Sequence, residues 1–325
     1  MSSSSAVSFG AVGSPVDLQP AGAAAAVALP RPSTARDFWL VMKPNVMQLV
    51  VFTGWVGIYL APIRLHPLLA LTAVLCIAAA AGASAAINNW FDADIDRQMA
   101  RTRLRPTASG AVQPDEALAL GVTLAILSVS VMGLALNWAA GALLALTIAF
   151  YVFVYTLWLK RRTPQNIVIG GAAGALPPII GYAASTGGVD LLPVLLFLIV
   201  FAWTPPHFWA LALYRTADYA RVGVPMLPVV AGRLQTRRHI LAYAAMLVPL
   251  SLAPVATGDL GALYALAALA ASGGFAALAW RLYRDDSDRA AAQVFRYSLF
   301  YLFGLFGAMA LDRFWGFSHA ALGGV

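Results

Sequence analysis

The stretch Ile87-Asn88-Asn89-Trp90-Phe91-Asp92-Ala93-Asp94-Ile95-Asp96-Arg97 decides how this chain is read. It closes an apolar run over 67–89 that carries no charged residue. A hydrocarbon core about 30 Å thick takes about 20 apolar helical residues, so the run can cross a bilayer and the acidic stretch sits at its edge. Asn88, Asp92 and Asp96 are spaced i, i+4, i+8. On a helix they drift by only about 40° per step, so all three share one face. Asp94 falls roughly opposite Asp92 and stands outside that set. Of the 14 acidic residues in the chain, three crowd into this edge, where charge burial is costly. A divalent cation relieves the repulsion. Oxygen-only ligands suit Mg²⁺, which keeps waters and is usually shared with substrate phosphates. Arg97, Arg101, Arg103 and Arg105 follow at once. Acid beside base suits a phosphate held by metal on one side and guanidinium on the other. The competing explanation is a solvated, mutually paired charged cap on a helix.

Working outward, the 325 residues are 61% hydrophobic and 11% charged, where a soluble domain carries about 25% charged residues. With a mean hydropathy of +0.76, an ordinary cytosolic globule and a disordered chain are both excluded. One cysteine, Cys76, excludes an internal disulfide and a multi-cysteine metal site. His66, His207, His239 and His319 are too scattered for a His-rich cluster. Nine runs are candidate membrane spans: 45–63, 67–89, 115–136, 138–158, 165–185, 191–213, 239–257, 260–280 and 294–311. They are Ala/Leu/Gly-rich without alternation, which argues for helices over strands. The expected fold is an all-α polytopic membrane helix bundle. On this map 19 of the 21 Lys and Arg fall on one side, with only Arg64 and Arg313 on the other. By the positive-inside rule the N-terminus is cytoplasmic, and an odd span count puts the C-terminus outside. The net charge of +7 is thereby explained by topology, and nucleic acid drops out as a partner.

Residues 1–36 read as a disordered cytoplasmic tail, being Ser/Ala/Gly/Pro-rich and lacking the basic start of a signal peptide. A cleaved targeting segment is the alternative. Residues 37–325 form the intramembrane domain. Two expected cytoplasmic loops are long, over 90–114 and 214–238, and long loops carry function. The second holds Tyr214, Asp218 and Arg221. Asp218 is either a second metal ligand or a helix cap. Inside the sixth run, Thr204-Pro205-Pro206-His207-Phe208 is expected to break the helix, as is tolerated where backbone lines a cavity. His207 is then an intramembrane ionisable residue, functional by default, unless it is a neutral His bonded to a backbone carbonyl. Pro177-Pro178 repeats the break, beside Gly170-Gly171-Ala172-Ala173-Gly174, whose small residues let helices pack closely.

A nine-span bundle with Asn-x-x-x-Asp-x-x-x-Asp at a cytoplasmic helix end resembles the UbiA-type intramembrane prenyltransferases. Four strings together look more specifically like the heme O synthases: Asn88–Pro106, Lys160-Arg-Arg-Thr-Pro-Gln-Asn166-Ile-Val-Ile-Gly-Gly171, Thr204-Pro-Pro-His207-Phe208, and Asp218-Tyr-x-x-x-Gly-Val-Pro-Met-Leu-Pro228. The likeness runs from Lys43 to the end of the ninth span. There are two departures. Many superfamily members carry a second Asp-x-x-x-Asp, where this chain has Tyr214-x-x-x-Asp218, and the family's Lys-Pro-Arg is here Lys43-Pro44-Asn45.

The resemblance implies farnesyl transfer from farnesyl diphosphate to a vinyl group of heme b, giving heme O and diphosphate. A bacterial inner membrane is expected over a mitochondrial one, because the N-terminus lacks Arg-rich amphipathic character. Heme b is then substrate and Mg²⁺ the cofactor. Asn88, Asp92, Asp96 and Asp218 would hold the metal, and Arg97, Arg101, Arg105 and Lys160 would contact diphosphate. His207, with Tyr214 and Arg221, would face substrate. A heme-modifying enzyme or a terminal oxidase is the implied partner class. A quinone precursor or another tetrapyrrole as acceptor, a transporter, and a structural oxidase subunit remain open at this point. Transport would call for polar groups near mid-membrane, whereas the acids here cluster at the edge. An Asp92→Ala variant should lose turnover while staying in the membrane fraction; retained activity would remove Asp92 from the metal site.

Overall fold

The computed structural model describes residues 32–316, which are all-helical. The expected tail lies outside the described residues as far as Arg31. Thr34 then starts α1 (Ala35–Val41) with a capping box: its side chain accepts from the Asp37 N–H, and the Asp37 carboxylate accepts from the Thr34 N–H. After α2 (Pro44–Leu60) and α3 (Pro67–Phe91) come two short helices, α4 (Ala93–Gln98) and α5 (Pro106–Ser109). Next are α6 (Pro114–Ala135) and α7 (Trp138–Ala149), the latter continuing as a π-helical stretch over Phe150–Leu159. The chain goes on through α8 (Asn166–Ala175), α9 (Pro177–Thr186), α10 (Leu191–Leu213), α11 (Thr216–Arg221) and α12 (Leu227–Val230). It closes with α13 (Gly232–Ala256), α14 (Ala262–Arg284) and α15 (Asp288–Trp315). Proline opens α2, α3, α5, α6 and α9, where its missing N–H would have had no helical partner anyway.

Eight stretches among the described residues are long and apolar enough to cross a membrane, counting α7 with its π continuation and α8 with α9 as one each. α2, at 17 residues, is a shorter apolar helix. All nine lie on the runs read from the sequence. The last three are longer than those runs, because hydropathy marks only the apolar part of a helix. Their polar ends are tied together instead: Arg233 reaches Asp286 at 2.8 Å and Asp288 at 3.0 Å, and Arg237 reaches Asp286 at 3.3 Å.

The two proline pairs behave differently. Pro177 does interrupt its span, with α8 ending at Ala175 and α9 beginning at Pro177. The break expected at Pro205-Pro206 does not occur, and α10 runs straight through both residues. Burial holds it: Trp203 to His207 are all buried, and the Trp203 indole N–H donates to the Ser298 carbonyl of α15 at 2.7 Å.

Two apolar clusters make the core. One joins α10, α13, α14 and α15; the other joins α3, α7 and α9. α2 serves both, giving Val56 and Leu60 to the first and Ile58 to the second. Its contact with α9 is backbone on backbone. A β-carbon on Gly57 would lie 2.2 Å from the Pro178 carbonyl oxygen, and one on Gly181 would lie 2.0 Å from that of Gly54. Close approach through small residues is how helices associate in lipid. Within the small-residue stretch, Gly170 and Gly171 make such contacts, with Tyr155 and Thr204, whereas Gly174 has nothing within 4 Å. Gly181→Ala should therefore destabilise by about 1–3 kcal/mol, read as a lower Tm in detergent, while Gly174→Ala leaves Tm unchanged. Equal Tm values for the two variants would contradict the α2–α9 contact.

Candidate active site

The end of α3 bends without breaking. The Asp92 N–H bonds the Asn88 carbonyl at 3.0 Å and the Asp96 N–H bonds the Asp92 carbonyl at 2.8 Å. Helical register thus carries into α4, and Asn88, Asp92 and Asp96 stay on one buried face. Asn88 Nδ2 donates to Asp92 Oδ2 at 2.7 Å and to Thr156 Oγ1 at 3.3 Å. Asn89 ties the same turn to α1 by donating to the Val41 carbonyl at 2.7 Å. Asp94 turns outward, as its position on the helix required, and pairs with Arg161 at 2.7 Å.

Cations surround the buried face. Lys160, just past the π-helical stretch, pairs with Asp92 Oδ2. Arg105 pairs with Asp96 Oδ2 at 2.7 Å. Lys43 Nζ donates to Asn88 Oδ1 at 2.6 Å. Arg161 donates to both Asp94 oxygens and to the Phe91 carbonyl, with Nη2 3.7 Å from Asp92 Oδ1. The charged-cap explanation is right about pairing and wrong about solvation: Asp92 is 0% exposed and Asp96 2%. Burying two carboxylates needs such partners.

Burial holds Lys43 well below the usual lysine range; Arg105 and Lys160 push the same way, while Asp96 and Asp92 oppose. The hydrogen bond from Arg161 keeps Asp94 below the usual carboxylate range. Burial raises the Tyr214 phenol, against the pull of Arg215, Arg296 and Arg101. Lys43 is also the one described residue other than glycine with a left-handed backbone, at φ 55°. That conformation costs a residue with a β-carbon about 1–2 kcal/mol, and such strain persists where surrounding structure holds it, commonly at functional sites.

The second loop folds toward the first. Tyr219, Val224 and Met226 share an apolar cluster with Ile95 and Met99 of α4, Ile167 of α8 and Ala212 of α10. Asp218 is buried on α11, with Arg221 at 3.9 Å as its ionic neighbour. Among the described residues no three His, Cys, Asp or Glu side chains converge to form a metal cage. Of the four expected metal ligands, Asn88 and Asp92 are hydrogen-bonded to each other, Asp96 follows on the same buried face paired with Arg105, and Asp218 has Arg221 as its ionic neighbour. Arg97, Arg101 and Arg221 are exposed, outside the ion pairs around Asp92 and Asp96. Tyr214, half-buried, meets Phe295 edge-on.

His207 is buried in α10, stacked between Trp203 at 4.4 Å and Phe295 at 4.7 Å. Its partner is a hydroxyl and not the backbone carbonyl expected: Nδ1 lies 2.6 Å from Ser298 Oγ. That hydroxyl donates its own proton to the Phe295 carbonyl at 2.6 Å. With the Ser298 proton on that carbonyl, the ring would donate through Nδ1 and Nε2 would keep the lone pair; with it turned to Nδ1, the roles reverse.

Sequence reasoning missed Lys43, Thr156 and Arg161 as members of the site. Lys43-Pro44 and the Lys160-Arg161-Arg162 run were visible signals. A lone threonine in an apolar run carried none. The residues fit Mg²⁺ by donor chemistry, being oxygens only. One of those oxygens, Asp92 Oδ1, is buried with no hydrogen-bond partner.

Residues 50–305 match the UbiA prenyltransferase family. The chain is 54% identical over 292 residues to the protoheme IX farnesyltransferase of Parvibaculum lavamentivorans, a match that covers 89% of this chain and 92% of that one. The structure of a digeranylgeranylglyceryl phosphate synthase aligns with a TM-score of 0.72 at 19% identity, over 85% of this chain and 97% of that one. A UbiA homolog from Archaeoglobus fulgidus bound to DMAPP and Mg²⁺ aligns with a TM-score of 0.58 at 16% identity, over 84% and 99%. The chain belongs to the UbiA prenyltransferase family, where it groups with the protoheme IX farnesyltransferases.

Proposed function

We propose that this chain transfers a farnesyl group from farnesyl diphosphate to a vinyl group of heme b, with addition of water, giving heme O and diphosphate. The observation that carries the donor half is the buried Asn88–Asp92–Asp96 face ringed by Lys43, Arg105 and Lys160. The relative from Parvibaculum lavamentivorans supports the acceptor half.

An allylic diphosphate ionises when the charge of its leaving group is stabilised. Arg105, Lys160 and Lys43 offer hydrogen bonds to diphosphate oxygens, with Arg97 and Arg101 at the rim. In a water-poor site such donors act strongly. Asn88, Asp92, Asp96 and, from the second loop, Asp218 would hold Mg²⁺, which supplies neutralising charge to the leaving group. As the C1–O bond breaks, its electron pair leaves with diphosphate. The terminal vinyl carbon of heme b takes C1, and water captures the cation left beside the macrocycle and loses a proton. No protein nucleophile is needed. The farnesyl tail lies among apolar helices. In the tautomer with the proton on Nδ1, His207 Nε2 would offer a lone pair to heme iron; in the other it would donate to a propionate. Tyr214 and Arg221 flank the acceptor.

The positive-inside asymmetry supports nine spans, a cytoplasmic N-terminus, an outer C-terminus and a site open to the cytoplasm of a bacterial cell. A heme-modifying enzyme or terminal oxidase would take up the product.

The test uses purified protein in detergent with heme b, farnesyl diphosphate and Mg²⁺, with and without EDTA, and mass spectrometry of extracted hemes. The expected product is heavier than heme b by a farnesyl group plus a hydroxyl and disappears with EDTA. Diphosphate release without that product would overturn heme b as acceptor. Neither product from well-folded protein would overturn the donor site.

A further inference from the structure

We propose that the site admits its divalent cation together with diphosphate and not before it, because the chain's own Lys43 and Lys160 hold the oxygens that the cation requires. The inference rests on the diphosphate-site reading given above.

Each oxygen on the buried face can be followed in turn. Asn88 Oδ1 accepts from Lys43 Nζ at 2.6 Å. The other end of that amide donates to Asp92 Oδ2 at 2.7 Å and to Thr156 Oγ1 at 3.3 Å. The amide is therefore fixed at both ends, and it shows Asp92 its N–H₂ group, which cannot ligate a cation. Asp92 Oδ2 also receives Lys160. Asp96 Oδ2 receives Arg105 at 2.7 Å. Asp92 Oδ1 is buried without a hydrogen bond, and the guanidinium of Arg161 stands 3.7 Å from it; Asp96 Oδ1 is the other oxygen of this face with no such bond. Two oxygens, one of them beside a guanidinium, fill few of the six positions that a bare dication wants.

Charge says the same. Two carboxylates, Asp92 and Asp96, face three basic side chains, Lys43, Lys160 and Arg105. Arg161 is already occupied by Asp94. A free dication thus enters a pocket with no surplus negative charge, whereas diphosphate enters one lined with donors. When both arrive together, each ammonium can exchange a side-chain oxygen for a phosphate oxygen, which is the stronger charge-assisted partner. Asn88 and Asp92 are then released toward the cation. The competition at Asn88 is for one oxygen lone pair, so it holds whether or not the Lys43 amine carries its proton. A resting enzyme built this way does not collect stray cations.

The experiment measures Mn²⁺ bound to the full-length protein in detergent, by equilibrium dialysis and spin resonance, with and without inorganic diphosphate. The wild type should hold Mn²⁺ weakly alone and at least about tenfold more tightly when diphosphate is present. Lys43→Met should tighten Mn²⁺ alone on the order of tenfold and weaken diphosphate, as expected when one competing cationic donor is removed at a few ångströms. Lys160→Met should move both affinities in the same directions, which guards against a folding defect peculiar to one variant. A merely structural lysine would not improve metal binding when removed. Mn²⁺ affinity that is unchanged or weaker in both variants, or equal with and without diphosphate in the wild type, would overturn the inference. Should the wild type form prenylated product yet show that behaviour, only the order of binding falls. Should it bind neither Mn²⁺ nor diphosphate, the reading of the pocket falls with it.

Discussion

A carboxylate fully closed off at the end of a membrane-crossing helix has to be neutralised by its surroundings, and Asp92 is that carboxylate here. Isolated, it would carry a desolvation penalty of several kcal/mol. The surrounding architecture answers this need. α3 delivers Asn88 one turn earlier to donate to it. The π-helical stretch after α7 delivers Thr156 to Asn88, and Lys160 follows directly to pair with Asp92. The link between α1 and α2 places Lys43 on the Asn88 oxygen, and Asn89 clamps the end of α1 to the same turn. A π-helical stretch and a left-handed lysine are both irregularities, and both sit where they bring a polar group to this one point.

The remainder of the bundle keeps that point dry and fixed. α2 belongs to both apolar clusters, so the half carrying α3 and the half carrying α10 and α15 share a wall. Glycines at the α2–α9 crossing let backbones touch where side chains would hold them apart. On the α10 side, His207, Trp203 and Ser298 form a polar clasp within otherwise apolar surroundings. Satisfied polar groups in such a setting are directional, and this one fixes the plane of the imidazole.

Much of this was legible in the sequence because a bilayer imposes simple rules. Run length marked the nine apolar helices, and helical periodicity put Asn88, Asp92 and Asp96 on one face with Asp94 off it. Other features were not legible, for physical reasons. The polar ends of α13, α14 and α15 are held by ion pairs that hydropathy does not register. Pro205-Pro206 reads as a breaker by local propensity, but packing against α15 overrides it. Lys43 and Thr156 reach the site from 45 and 68 residues away from Asn88, contacts to which no local pattern points. Asp218 came into view as a candidate ligand because of its loop, yet only the apolar residues beside it show how the two loops meet.

The most direct test of the account is a structure of the full chain soaked with Mn²⁺ and inorganic diphosphate, with anomalous scattering used to locate the metal. The account predicts a metal peak at a ligand distance of about 2.1 Å from an Asp92 oxygen, a phosphate against Lys160 and Arg105, and Lys43 detached from Asn88. A metal bound elsewhere in the bundle, or diphosphate seated away from Asp92 with the Lys43–Asn88 contact intact, would contradict it.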